Sequence, residues 1–114
     1  MIPADKVLER VHGSQKAHDS LVNACLILLH LRGVPAHKVQ QKAARTRDGR
    51  WYAASTKGSF DIYGVLQGGR ALVVEAKTGQ QHMTPEQSLE AKKWRAAGAL
   101  VLEVHNAAEL EALR

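Results

Sequence analysis

Apolar residues change their spacing along this chain, from the three-and-four interval of a helix to the short β-branched runs of strands, then back to a helix and a last strand. In the N-terminal third, Leu21, Val22, Cys25, Leu26, Leu28 and Leu29 form the stripe of a helix packed on a sheet, and His18 continues it one turn upstream. That helix is predicted to start near Ser14, a suitable N-cap, and to end at Gly33-Val34-Pro35. A shorter helical pattern, Ala4 to Val11, precedes it and is set apart by His12-Gly13.

Phe60 to Leu66 reads as a strand, Gln67-Gly68-Gly69 as a turn, and Val73-Val74-Glu75-Ala76-Lys77 as a second strand that opens apolar and then carries charges at i and i+2. The two predict an antiparallel hairpin. Its register depends on the loop: a two-residue Gly68-Gly69 loop puts Asp61 opposite Ala76, whereas a three-residue loop, Gln67 to Gly69, puts Asp61 opposite Glu75. If the two acids form one site, the three-residue loop with an αL glycine is expected, or a bulge that makes the same correction.

Thr84-Pro85-Glu86-Gln87 has the grammar of a helix start, with Thr84 as cap, Pro85 at the first helical position and Gln87 closing a capping box. The helix runs toward Gly98, and Ala99 to Val104 follows as a buried strand. A right-handed crossover makes that strand parallel to the Glu75 strand. Asn106 caps a short closing helix, Ala107 to Leu113. The order predicts one α/β domain over residues 1–114, a mixed sheet flanked by helices, without repeats or linkers.

This arrangement brings chemistry with it. Glu75 and Lys77 share one face of their strand, and Asp61 lies on the neighbouring strand, so two carboxylates and an ammonium converge. Unpaired carboxylates facing each other repel, and a divalent cation with a taste for hard oxygen ligands, Mg²⁺ or Mn²⁺, relieves that repulsion. The equipment is that of a metal-dependent phosphodiesterase, in which Lys77 neutralises charge in the transition state or orients the nucleophile. A lone Glu-x-Lys triplet also fits an ordinary strand end.

The order Gly58-Ser59-Phe60-Asp61-Ile62, Val74-Glu75-Ala76-Lys77-Thr78, Thr84-Pro85-Glu86-Gln87 and Arg95-Ala96-Ala97-Gly98 gives the stretch from Lys57 to Val104 a specific likeness. It resembles the VRR-NUC family, a branch of the PD-(D/E)XK nucleases, and most closely its short phage and prophage members. The resemblance implies a restriction-endonuclease-like core, with Asp61, Glu75 and the backbone carbonyl of Ala76 as ligands of Mg²⁺ or Mn²⁺, Lys77 as electrostatic catalyst and Gln87 beside them. In the wider family an acid from the first helix completes the metal site. Here the matching residue is His18, with Asp19 beside it and facing another, solvent-exposed side. His18 is therefore open between a metal ligand, better suited to Mn²⁺ than to Mg²⁺, and a partly buried histidine bonded to backbone.

Composition adds limits. A chain of 114 residues with 45% hydrophobic content and five aromatic residues supports a single aliphatic core. No run of eighteen apolar residues and no signal-peptide core is present, so an intracellular location is expected, free of membrane and of organic cofactor. Cys25 stands alone on its helix, where packing outweighs reactivity. The net charge of +5 permits a polyanionic partner. Its distribution is more pointed: Lys38, Lys42, Arg45, Arg47, Arg50 and Lys57 stand against Asp48 alone between residues 38 and 57. Of these, Lys42, Arg45, Arg47 and Lys57 are the candidate phosphate contacts. Trp51 and Tyr52 in the same stretch either stack on a base or, the more common use, pack a strand on the core. The remaining histidines, His12, His30, His37, His82 and His105, show no metal-ligand spacing.

The leading expectation is a metal-dependent DNA endonuclease. Short members of the resembled family act on branched DNA, so a four-way Holliday junction is the preferred substrate, and symmetric cleavage of a junction implies a homodimer. The alternatives are a DNA-binding module of the same fold without catalysis, motivated by His18 in place of an acid, and a small structural protein whose basic surface serves solubility.

Overall fold

Helix α1 (Ala4–Leu31) runs unbroken in the computed structural model of the chain, which describes residues 4–39, 44–45, 47–49, 51–52 and 58–114, with backbone alone for 4–14, 44–45 and 51–52. The interruption expected at His12-Gly13 does not occur. A single glycine inside a helix costs about 1 kcal/mol relative to alanine, but unlike proline it keeps its N–H and leaves the hydrogen-bond ladder complete. The C-terminal stop falls where expected. Gly33 takes φ +76°, its N–H donates to His30 O at 3.0 Å, and the Val34 N–H donates to Leu29 O at 2.9 Å, the paired bonds of a Schellman ending.

Among the described residues six strands follow: β1 (Ala36–Lys38), β2 (Ala44–Arg45), β3 (Trp51–Tyr52), β4 (Ile62–Val65), β5 (Ala71–Ala76) and β6 (Leu100–Val104), with helix α2 (Pro85–Ala96) between β5 and β6. Strands β1, β4, β5 and β6 form a four-stranded mixed sheet in that spatial order, while β2 and β3 pair with each other. The β5–β6 pair is parallel, as the crossover predicts, and β1–β4 and β4–β5 are antiparallel.

Strand β1 is absent from the hydrophobic pattern, because an edge of three residues leaves little periodicity to read. A glycine in its partner admits it. A Cβ at Gly64 would lie 2.6 Å from Pro35 O, so glycine alone lets the chain after α1 come this close to β4.

The hairpin has the three-residue loop. Ile62 pairs with Val74 and Val65 with Ala71, the Leu66 N–H donates to Arg70 O at 2.8 Å, and Gly68 and Gly69 take φ +90° and +91°. Continued by one residue, this register sets Asp61 opposite Glu75.

Helices cover both faces of the sheet. Val22, Cys25 and Leu29 of α1 pack with Ile62, Leu72, Val74, Ala76, Val104 and Leu110 on one side. On the other, Phe60, Val73, Ala99 and Val101 pack with Ala91 of α2, flanked by Tyr63 and Trp94. Alternate residues of β5 thus serve opposite layers, and the odd-numbered ones, Glu75 included, face α2. The closing helix expected over Ala107 to Leu113 is instead a 3₁₀ turn at Ala107–Leu110. Asn106 does cap it, accepting from the Ala108 N–H at 2.9 Å. So short a segment cannot offset the nucleation cost of an α-helix, and i→i+3 bonds such as Glu109 N–H to Asn106 O serve instead. Among the described residues, no helix is long and apolar enough to cross a membrane.

Candidate active site

The sheet and helix α2 bring Asp61, Glu75, Lys77 and Gln87 to one place. Glu75 is buried, at 3% exposure, and both its oxygens are held. Its Oε1 accepts from the Asp61 backbone N–H at 3.2 Å; its Oε2 lies 3.1 Å from Lys77 Nζ and accepts from Gln87 Nε2. Asp61 Oδ2 in turn accepts from the Ala76 N–H at 2.9 Å and lies 3.2 Å from His18 Nε2. Ala76, expected to offer its carbonyl, therefore already binds an acid of the site through its N–H.

Each contributor arrives for a local reason. Lys77 continues the parallel ladder past β5, its N–H donating to Val104 O at 2.9 Å. Gln87 caps its helix and also reaches toward the acids. Its Oε1 accepts from the Thr84 N–H and its own N–H donates to Thr84 Oγ1, each at 3.1 Å, which closes the capping box. The same side chain's amide reaches Ser59 O at 3.3 Å and Glu75. Gly58 must be glycine to let this loop meet α2: it takes φ +87°, and a Cβ there would sit 3.1 Å from Glu86 O.

Electrostatics single out Glu75. Burial first, then the Asp61 carboxylate, push its carboxyl up to about 7, against an opposing pull from Lys77. The donor set fits a hard divalent cation, since one such charge would answer both the desolvation and the repulsion. Burial also pushes the Cys25 thiol up to about 11, helped by Glu109 and Asp61. That keeps it protonated and inert, as expected.

Among the described residues, the hydrogen bond of His18 runs to an acid of the site, Asp61, and not to backbone; the described residues with three ligand atoms mutually within 4.8 Å are His82, Glu103 and His105. His18 is an Asp61 partner, 30% exposed. Asp19 is half-exposed rather than turned fully away, with Oδ1 3.7 Å from His18 Nδ1 and 3.1 Å from Gln15 Nε2.

Of the basic segment, Lys38 and Arg47 are exposed. Arg45 lies on β2 and Trp51 and Tyr52 on β3, but their side chains lie outside the described residues, as do Lys42, Arg50 and Lys57.

The cluster that the sequence hides sits one strand over. Glu103 Oε2 lies 2.8 Å from His82 Nδ1 and 3.0 Å from His105 Nε2, and Oε1 accepts from the Met83 N–H at 2.6 Å. Burial works against the Glu103 carboxylate, but the bonds from His82, His105 and Met83 outweigh it and draw its pKa down to about 2. The legible signal was Glu103-x-His105, two residues apart where β6 ends; His82 joins through a loop that sequence spacing does not foretell. No protein-family model, no curated protein and no solved structure matches this chain.

Proposed function

We propose that the chain is a metal-dependent DNA endonuclease of the PD-(D/E)XK kind, with the restriction-endonuclease-like core that its VRR-NUC resemblance implies. One observation carries the reading: a buried Glu75 is packed against Asp61 at a cost visible in its raised pKa, with Lys77 and Gln87 both on its Oε2. A purely structural carboxylate would gain nothing from a second acid beside it.

Asp61, Glu75 and the Ala76 carbonyl are the residues that would hold Mg²⁺ or Mn²⁺. Such an ion supplies Lewis acidity toward phosphate oxygens and acidifies water. The chain's own residues do the rest. Asp61 is oriented by the Ala76 N–H and by His18, whose Nε2–H donates to it. Lys77, nearly buried at 15% exposure, holds a positive charge where the attacked phosphoryl group gains negative charge, and it needs no reorganisation to do so. Gln87 fixes the Glu75 oxygen that Lys77 shares. The leaving oxygen takes its proton from water. The basic stretch from Lys38 onward, with Lys42, Arg45, Arg47 and Lys57, borders the Asp61 strand in sequence and would bind backbone phosphates. A four-way junction is the preferred substrate, cut by a homodimer with one site per strand.

The test compares wild type with Asp61→Ala on labelled junction, flap and linear duplex DNA, in Mg²⁺, Mn²⁺ and EDTA. Metal-dependent cutting by wild type alone upholds the reading. Junction binding without cutting in any lane would replace it with the non-catalytic DNA-binding module, which the histidine at position 18 favours.

A further inference from the structure

His82, Glu103 and His105 come from two parts of the chain and meet at one point. Glu103 and His105 lie two apart at the end of β6, and His82 sits in the loop between Lys77 and Thr84. Both imidazoles direct a ring nitrogen at the same carboxylate oxygen, Glu103 Oε2, at 2.8 and 3.0 Å. The rings stand edge to face with centroids 5.5 Å apart. All three ligand atoms lie within 4.8 Å of one another. In a tetrahedral site with ligands about 2.0–2.2 Å from a Zn²⁺-type ion, neighbouring donors are about 3.4 Å apart, a separation that small shifts of these side chains reach.

We propose that His82, Glu103 and His105 form a binding site for a divalent transition ion of the Zn²⁺ class, separate from the Asp61–Glu75 centre. Two imidazoles and one carboxylate suit Zn²⁺, Co²⁺, Ni²⁺ or Cu²⁺ and are a poor match for Mg²⁺ or Ca²⁺, which take oxygen ligands. The carboxylate is already aimed, because the Met83 N–H holds its other oxygen at 2.6 Å. That is the outer support that ligating groups commonly have. His82 is 74% exposed, so the fourth position opens to water. Binding replaces the protons that now bridge the imidazoles and Glu103, so each ring presents a bare nitrogen to the ion.

The site's place in the fold gives it a consequence. Glu103 is the registered neighbour of Glu75 across the parallel β5–β6 pair, and both face α2. The loop carrying His82 begins at Lys77 and ends at the Thr84 cap, where Gln87 reaches Glu75. An ion here clamps that loop to β6 and holds the start of α2 in place.

Calorimetric titration of the full chain with Zn²⁺ and Co²⁺ tests this, in the Asp61→Ala background so that the acid pair does not compete. One equivalent is expected to bind, with tetrahedral Co²⁺ absorption and a rise in melting temperature. His82→Ala and His105→Ala, each at exposed positions, should weaken binding at least tenfold and abolish the thermal shift. No binding to the Asp61→Ala protein, or binding unchanged in both histidine variants, would overturn the proposal and leave the cluster as a hydrogen-bonded loop anchor. DNA cleavage does not enter the readout, so this site and the proposed nuclease stand or fall separately.

Discussion

Glu75 and Glu103 are the same residue type, paired in register on adjacent parallel strands and facing the same helix, yet their carboxyls are driven in opposite directions. Glu75 is buried against another acid and rises to about 7. Glu103 gathers two imidazoles and a backbone N–H and falls to about 2. The sheet supplies the position, while the residues one layer out set its electrostatics: Glu75 shares its buried place with a second acid, a local deficit of positive charge, whereas Glu103 is surrounded by hydrogen-bond donors. Such a deficit would suit the proposed hard cation, and a ring of donors pins a loop.

Breaking the deficit should have the largest effect. Asp61→Ala removes a proposed metal ligand, and metal-dependent cleavage is expected to fall below detection in a gel assay, with junction binding kept. Lys77→Met should cost about 100- to 1,000-fold in cleavage rate, the scale of losing one fixed electrostatic group. It also leaves Glu75 without its cation in a buried place, at about 3 kcal/mol or more of stability at pH 8 by urea unfolding.

Proton linkage separates the two acids without any substrate. Between pH 4.5 and about 7 the folded chain keeps a proton on Glu75 that the unfolded chain has released, so stability should decline as pH rises through that window in EDTA. Glu103 works the other way: its contribution is present above pH 4.5 and is lost as pH falls toward about 2. Urea midpoints across pH should show the neutral-side slope flattened by Glu75→Gln and the acid-side slope flattened by Glu103→Gln. Identical profiles for the two variants would dissolve the contrast.

Gln87 gives the finest cut. Gln87→Ala should lower cleavage about tenfold, as loss of an outer partner does, and stability by about 1 kcal/mol for the lost capping contact. Gln87→Glu keeps the capping box but adds a third carboxylate to the deficit, so cleavage should drop while the helix-capping contribution to stability survives.

The parts of this picture that could be read in sequence are those decided by neighbours along the chain. The Gly33 stop, the Thr84 capping box and the Asn106 cap follow from local backbone requirements, whereas the three-residue hairpin loop followed only from the condition that Asp61 and Glu75 form one site. What escaped was decided across the chain. Strand β1 exists because Gly64 leaves room for Pro35 O, and His82 meets Glu103 only after α2 and β6 have docked. The continuous α1 escaped for a different reason: Gly13 weakens a helix without stopping it. His18 falls between the two cases, its alignment with the site legible from the helical stripe and its bond to Asp61 not.

Because Gln87 is both the third residue of α2 and a hydrogen-bond donor to Glu75, the first turn of that helix and the carboxylate above it share one local unfolding event. Opening of the Ser88 N–H from Thr84 O, a 2.9 Å bond, releases the glutamine at the same moment. The amide-exchange rate at Ser88 therefore gauges how long the proposed catalytic centre stays assembled.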